Sequence, residues 1–133
     1  MCKGNCNCIS DILTVICLLQ KNTDCSDICL DSCDRPTLGQ ISNNCLYNTR
    51  PVMLYTCNSN GTVAWSMPTT RTATPTETSS VFRIEKIDGC CATFRVLIAN
   101  DDGTYTSTDS FFTMNLECIC CIRCLNDTLV ENI

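Results

Sequence analysis

The stretch SFFTMNLECICCIRCLN, residues 110–126, decides how this chain is interpreted. Its even positions from Phe112 to Cys124 are apolar without a break, whereas polar residues interrupt the odd positions. A period of two is typical of a β-strand with one buried face, so we predict one long strand here. The pattern places Cys118, Cys120 and Cys124 on the face that should be buried. Sulfur is therefore expected to be part of the structure.

Length and composition place the chain among globular proteins of one domain. It has 133 residues, 44% of them hydrophobic and 17% charged, with a net charge of −5. A negative chain without a basic run is a poor partner for nucleic acid and for acidic membrane surfaces. The apolar run from Ile12 to Leu19 is too short to span a bilayer. We expect no nucleic acid partner and no membrane insertion.

The 15 cysteines are the most unusual feature of the composition. They exceed the level of about 8–10% that marks a disulfide scaffold in a short secreted protein. The N-terminal residues MCKGNCNC and the apolar run after them do not form a signal peptide, so we expect synthesis in a reducing cytosol. The thiols then either bind metal or oxidise later. Because the count is odd, at least one cysteine cannot pair within its own chain, which hints at pairing between chains.

Residues 1–9 are predicted to form a flexible, cysteine-rich arm, because Gly, Asn and Lys dominate between the thiols. Its cysteines are Cys2, Cys6 and Cys8, and mobility makes them our candidates for disulfides between subunits. The alternative is that these three thiols pair locally, with each other or with the next segment.

A helix is predicted from Ser10, as its N-cap, to Lys21. Its predicted apolar face consists of Ile12, Leu13, Ile16, Cys17 and Leu19. Cys25, Cys29 and Cys33 follow at spacings of four among acidic residues, which indicates either a metal cluster or a disulfide knot that ties the helix to the sheet. The knot is favoured, because zinc sites usually combine C-x-x-C pairs from two places.

Strand periodicity begins at residue 52. We predict a hairpin over 52–67 with its turn at Asn60-Gly61, an exposed Thr-rich loop over 68–80, and a second hairpin over 81–99 with its turn at Asp88-Gly89. The segment TYTST is predicted to be a short edge strand or a loop. The predicted fold is a mainly β domain over 10–126, an antiparallel sandwich or barrel-like sheet with one short N-terminal helix, followed by a tail over 127–133.

The side chains that most enzymes require are missing from the sequence. There is no His, which removes Ser-His and Cys-His pairs and His-ligated metals, and there is no Gly-rich phosphate loop. Cys121 and Cys124 form a C-x-x-C pair, but it lies in strand periodicity and not at a helix N-terminus, so redox catalysis is not favoured. One extended strand cannot direct four neighbouring thiols to one zinc ion. Arg50 has no visible partner and is interpreted as a packing or surface residue. We predict a protein that is not an enzyme and has no cofactor.

Several stretches together resemble a known family. They are YNTRPVMLYT at 47–56, VFRIEKIDGCCATFRVLIA at 81–99, LECICCIRCL at 116–125 and DCSDICLDSCDRPTLG at 24–39. The chain is similar to the cysteine-rich spore coat and exosporium proteins of the CotY/CotZ/ExsY type from endospore-forming bacteria.

The resemblance implies a structural protein that self-assembles into a two-dimensional hexagonal array, hardened by disulfides between subunits. It also implies synthesis in the mother cell without a signal peptide, a place in the coat or exosporium, and as partners further copies in a hexamer-based lattice and other coat proteins. The family-like cysteines are Cys25, Cys33, Cys91, Cys118, Cys120 and Cys124, of which we expect Cys118, Cys120 and Cys124 to serve the fold. The alternatives are a cytosolic thiolate protein that binds zinc or copper, and a thiol oxidoreductase.

Overall fold

The computed structural model describes residues 7–21 and 47–133. In this part of the chain, one helix precedes eight strands. The helix α1 spans Asn7–Lys21, and the strands are β1 (Val52–Asn58), β2 (Gly61–Ala64), β3 (Met67–Pro68), β4 (Thr78–Ser79), β5 (Val81–Asp88), β6 (Cys91–Ala99), β7 (Tyr105–Asn115) and β8 (Cys121–Cys124). The result is a mainly β domain with a curled antiparallel sheet and a helix near the N-terminus, which confirms the predicted fold class.

The main sheet has the strand order β2-β1-β5-β6-β7, and β8 pairs with β1. Tyr55 pairs with Ala64 of β2 and with Cys121 of β8, so these two strands lie on opposite edges of β1. Val52 at the start of β1 pairs with β5 and β8 in the same way. β2 and β5 therefore share one edge of β1, and β8 occupies the other.

The two predicted hairpins are both confirmed. β1 pairs with β2 from Tyr55 to Asn58, and Gly61 has the positive φ of 118° that the connection requires. β5 pairs with β6 up to Asp88, and Gly89 in the turn has a φ of 62°. Both glycines stand where the sequence pattern changes from apolar alternation to turn residues, which is why sequence alone located them.

The predicted loop over 68–80 is only partly a loop. Met67–Pro68 pairs with Thr78–Ser79 as a separate two-stranded sheet, and Thr69 is buried. Residues 70–78 are exposed, as predicted. The segment TYTST belongs to β7, which runs for eleven residues as one strand.

The core lies between α1 and one face of the main sheet. Leu13 and Ile16 of the helix pack with Val52, Leu54, Ile84 and a cluster of aromatic rings. In that cluster the ring centroid of Phe112 lies 4.8 Å from that of Phe82 and 5.3 Å from that of Phe94. Burial of these apolar side chains holds the helix on the sheet.

Hydrogen bonds from α1 to β5 fix the position of the helix along the strand. Gln20 donates from Nε2 to the carbonyl of Ile84 at 2.7 Å and accepts from the amide of Arg50 at 3.0 Å. Nearer the N-terminus, the Ser10 hydroxyl donates to the carbonyl of Gly89 at 3.4 Å. The helix therefore runs antiparallel to β5.

The helix begins at Asn7, so the prediction that Ser10 is its N-cap is wrong. Residues 7–9, assigned to the flexible arm, are helical, and Ser10 bonds to the sheet. The prediction of its apolar face is half right. Leu13, Ile16 and Cys17 are buried, but the predicted Ile12 and Leu19 are 37% and 44% exposed. The helix is apolar on more than one side, and periodicity alone could not decide which side faces the sheet.

The long strand predicted over 110–126 is broken in the structure. β7 ends at Asn115, a 3-10 turn occupies Leu116–Cys118, and β8 starts only at Cys121. The side chain of Asn115 accepts a hydrogen bond from the amide of Glu117 at 2.9 Å, which caps the turn. The turn changes which residues face the core. Leu116 and Ile119 are buried, whereas Cys118, Cys120 and Cys124 are exposed.

Candidate functional site

Most cysteines in the part of the chain that the structure describes lie at the surface. Cys57 and Cys120 form a disulfide with a Cα–Cα distance of 5.9 Å, and Cys90 is also disulfide-bonded. Six cysteines of residues 7–21 and 47–133 carry free thiols: Cys8, Cys17, Cys91, Cys118, Cys121 and Cys124. All of these except Cys17 are exposed. The candidate site is therefore a set of accessible sulfurs.

The predicted cysteines lie in different settings. Cys8 is an exposed free thiol in the first turn of α1, and Cys91 is an exposed free thiol at the start of β6. Cys118 and Cys124 are exposed free thiols, and Cys120 is bonded to Cys57. Five further predicted residues lie outside the described residues: Cys2, Cys6, Cys25, Cys29 and Cys33.

Cys57 was missed by the sequence reasoning, although it lies in a predicted strand. The position of Cys57 next to Cys120 results from the pairing of β1 with β8, in which Tyr55 lies opposite Cys121. The amide of Cys120 donates to the carbonyl of Tyr55 at 3.0 Å, which holds the segment before β8 against the end of β1. That register brings Cys57 and Cys120 together. The register depends on the turn over 116–118, and the sequence pattern did not reveal this turn.

The disulfide has a free thiol beside it. Tyr55 and Cys57 are two residues apart in β1 and so face the same side of the sheet, and Cys121 faces that side as the partner of Tyr55. Diagonal positions of this kind lie about 7–8 Å apart in an antiparallel pair. Cys57, Cys120 and Cys121 are all exposed. Three sulfurs thus share one accessible corner of the sheet.

The outer side of α1 carries an exposed apolar stripe. Ile12, Val15 and Leu19 are 37%, 55% and 44% exposed, and Leu18 beside them is 55% exposed. The stripe residues follow one another at spacings of three and four, so they lie along one side of the helix. Cys8 lies four residues before Ile12 and continues the stripe with a free, exposed thiol. We call Cys8, Ile12, Val15 and Leu19 the helix stripe.

A second thiol lies beside the helix stripe. A groove of about 290 Å³ is lined by Asp11, Ile12, Val15, Ile16, Arg50 and Cys124. Cys124 pairs with the buried Val52 and therefore lies on the helix side of the sheet. The helix stripe thus has one free thiol at its N-terminal end and another along its flank.

An ion pair borders the same groove. The Arg50 guanidinium donates to both carboxylate oxygens of Asp127, from Nε at 2.6 Å and from Nη2 at 3.0 Å. These hydrogen bonds lower the pKa of Asp127 and raise the pKa of Arg50. The sequence showed no partner for Arg50, because Asp127 lies 77 residues further along the chain.

A second charged cluster serves the fold. Glu85 accepts from Arg83 at 2.7 Å and from Arg95 at 3.0 Å. Arg83 also donates to the hydroxyl of Thr49, and Arg95 lies over the ring of Phe111 with its guanidinium carbon 4.6 Å from the ring centroid. Arg83 and Glu85 lie on β5 and Arg95 lies on β6, so the ion pair between Glu85 and Arg95 holds β5 to β6.

The described residues contain neither a metal-ligand cluster nor a membrane-spanning helix. Within 7–21 and 47–133, no three His, Cys, Asp or Glu side chains are close enough to hold a metal ion. The helical residues in these ranges do not form a segment that could span a bilayer.

The chain matches a known protein family. The family described as spore coat protein Z matches residues 2–106, from the N-terminus to the start of β7. The cysteines of residues 118–124 lie beyond the matched range. No curated protein and no solved structure matches the chain.

Proposed function

Because the chain belongs to the spore coat protein Z family, whose role is structural, we propose that its copies self-assemble into a two-dimensional array that disulfides between copies cross-link. The protein is part of the surface layer of the spore. Hexagonal symmetry, synthesis in the mother cell and later oxidation are the further parts of this proposal that the resemblance implies.

The observation that carries the proposal is the combination of apolar surface and thiol on one side of α1. Contiguous exposed apolar side chains mark association sites in proteins that are otherwise polar outside. The helix stripe alternates spacings of four, three and four from Cys8 to Leu19, which is the spacing of the apolar seam of a coiled coil. A helix with the same apolar stripe can pack along this seam. A second copy of the chain supplies such a helix. The helix stripe is therefore our proposed contact between copies.

The thiols are placed so that one copy can bond to more than one neighbour. Cys8, a member of the helix stripe, and Cys124, beside the stripe, lie on the helix side of the sheet. Cys121 faces the opposite side of the sheet, and so does Cys91, because the adjacent Ala92 is buried in the core. An extended array requires bonds in more than one direction, since a single bonding surface yields only pairs. Exposed thiols on both sides of the sheet meet this requirement.

The experiment tests the contact through the helix stripe separately from the disulfide cross-links. Val15→Glu puts a charge in the middle of the helix stripe. Assembly would bury this charge against the apolar stripe of a second copy, and its desolvation would cost free energy. Thr14→Glu is the matched control, because Thr14 is exposed on the same helix but outside the stripe. Both variants and the natural sequence are purified with reductant and examined by electron microscopy and sedimentation, then examined again after oxidation.

We expect ordered sheets from the natural sequence and from Thr14→Glu, and a monomer from Val15→Glu under reducing conditions. After oxidation, the sheets should resist boiling in detergent and dissolve to monomer when reductant is added. A natural chain that stays monomeric in both conditions would contradict the proposal. Stoichiometric metal in protein purified under reduction would favour the thiolate metal-binding alternative.

A further inference from the structure

The disulfide between Cys57 and Cys120 is exposed at both ends, unlike a disulfide that is sealed in a core. It joins the end of β1 to the residue before β8. Cys121 carries a free, exposed thiol on the same side of the sheet, and Cys118 carries another two residues before Cys120. A disulfide with an accessible sulfur and a thiol nearby is open to thiol–disulfide exchange, in which a thiolate displaces one sulfur of the bond.

We propose that the Cys57–Cys120 disulfide is an exchange centre whose substrate is a thiol, either Cys121 of the same chain or an exposed thiol of a second copy. This inference rests on the proposed function, because the second copy must be held nearby. It adds a source for the cross-links: each new bond between chains forms at the expense of an existing bond within a chain.

Within one chain the exchange shifts the bond by one residue. Cys121 loses its proton to solvent and its thiolate attacks Sγ of Cys57. The Cys57–Cys121 bond forms, the Cys57–Cys120 bond breaks, and Cys120 leaves as a thiolate that takes up a proton. Attack on Cys57 is favoured over attack on Cys120, because bonding Cys120 to Cys121 would close a strained ring between adjacent residues. The number of disulfides and of free thiols does not change.

Between chains the same step makes a cross-link. A thiolate of the second copy attacks Cys57 or Cys120, the bond within the first chain breaks, and the released sulfur leaves as a thiolate. One disulfide is consumed and one is formed, so no external oxidant is required. The released thiolate stays beside the new bond and can displace the neighbour again. A cross-link therefore accumulates only where docking keeps the second copy at high effective concentration.

This competition couples covalent bonding to assembly. The thiol of a freely diffusing copy is displaced by the released thiolate of the same chain. The thiol of a copy docked in the array is held close to the disulfide and can compete with that thiolate. The exchange would leave dispersed chains as monomers and cross-link assembled chains. Oxidation by an external oxidant has no such preference, because it can join any two thiols that collide.

The experiment uses full-length protein in which mass spectrometry has verified the Cys57–Cys120 bond. The protein is assembled under argon without any oxidant, and the total free thiol is titrated before and after. Peptides are then mapped without reduction. A parallel sample is treated with a chemical oxidant, and the double variant Cys57→Ser with Cys120→Ser is treated in both ways.

We expect cross-links under argon in the natural sequence, with Cys57 or Cys120 bonded to a second copy and the total free thiol unchanged. The double variant should lose these bonds under argon but still cross-link with oxidant through its exposed thiols. If under argon no bond between chains contains Cys57 or Cys120 and no Cys57–Cys121 bond forms, while the oxidant does cross-link the chains, the exchange centre is refuted and the proposed function stands. A Cys57–Cys121 bond without bonds between chains would support exchange within the chain and refute exchange as the source of the cross-links. If neither condition cross-links the chains, both fail. Because the natural sequence alone gives these outcomes, the test does not depend on the variant folding.

Discussion

The helix-to-sheet core and the segment from residue 116 to residue 124 use their side chains in opposite ways. In the core, Phe82, Ile84 and Phe94 are completely buried. Cys17 is the cysteine that belongs to this core in the part of the chain that the structure describes. In the segment 116–124, the apolar side chains turn inward and the sulfurs turn outward. Leu116 and Ile119 are buried, whereas all four cysteines of the segment are exposed.

The buried apolar side chains stabilise the fold, whereas the exposed thiols are accessible to other molecules. Apolar burial gives the described domain its core, as in an ordinary globular protein. Sulfur in the segment 116–124 adds one disulfide to the fold and leaves three thiols at the surface. In the proposed array, these accessible thiols are the groups that join one subunit to the next. Four sets of variants distinguish these two roles.

Phe82→Ala should have the largest effect. Phe82 is completely buried and contacts two other rings, so its truncation leaves a cavity and should lower the free energy of unfolding by about 3–5 kcal/mol. Urea unfolding followed by circular dichroism measures this change. Phe111→Ala is the control, because Phe111 is 46% exposed and should lose about 1 kcal/mol or less. Equal losses in the two variants would remove the distinction between core and surface.

Removing the disulfide should have the next largest effect. The bond links residues 63 positions apart, and the double variant Cys57→Ser with Cys120→Ser should lose about 2–4 kcal/mol, because its unfolded chain is less constrained. The matched control is Cys118→Ser with Cys121→Ser, which removes two exposed free thiols from the same segment. Thermal or urea unfolding of both double variants gives the comparison. An unchanged stability in the first double variant would mean that this bond does not serve the fold.

The ion pair between Arg50 and Asp127 should have a smaller, pH-dependent effect. Because the pKa of Asp127 is lowered in the folded state, its contribution is complete above the ordinary pKa of Asp and is lost as the pH falls through the lowered value. The side chains are 36% and 41% exposed, so the contribution should be below about 1 kcal/mol. Unfolding free energies from neutral pH down to about pH 2 should show this loss in the natural sequence and lack it in Asp127→Asn. The same pH profile in both chains would count against the pair.

Replacing an exposed free thiol should have the smallest effect on stability. Cys124→Ser changes a side chain at the surface, and the free energy of unfolding should move by no more than about 0.5 kcal/mol. The same variant should lose the cross-linked peptide that contains position 124 after oxidation of the assembled protein. Unfolding curves and peptide maps of the same preparation measure both quantities. A stability loss as large as that of the disulfide variant would assign Cys124 to the fold.

The sequence predicted the elements that local pattern determines. The hairpins around Gly61 and Gly89 were predicted because strand alternation and turn residues occur next to each other in the chain. The class of the fold followed from these strands together with one amphipathic helix. The sequence pattern could not show which apolar side of α1 is exposed, because the helix is apolar on two sides. The position of β5 decides which of these sides is buried against the sheet.

The segment 110–126 was mispredicted because two local signals compete in it. Alternation of apolar residues favours a continuous strand, but the Asn115 side chain caps a turn and interrupts it. The turn changes the phase of the pattern, so that Ile119 faces the core in place of Cys118 and Cys120. The pairing of Cys57 with Cys120 and of Arg50 with Asp127 depends on contacts 63 and 77 residues apart in sequence, which no local pattern encodes.

The most direct test of the central claim is a map of the disulfides between chains in the oxidised, assembled protein. The central claim is that the surface thiols join subunits while the core holds each subunit together. It predicts intermolecular bonds at exposed positions such as Cys8, Cys91 and Cys124, and a Cys17 that remains a free thiol. An oxidised protein that stays monomeric and has no bond between chains would contradict the account.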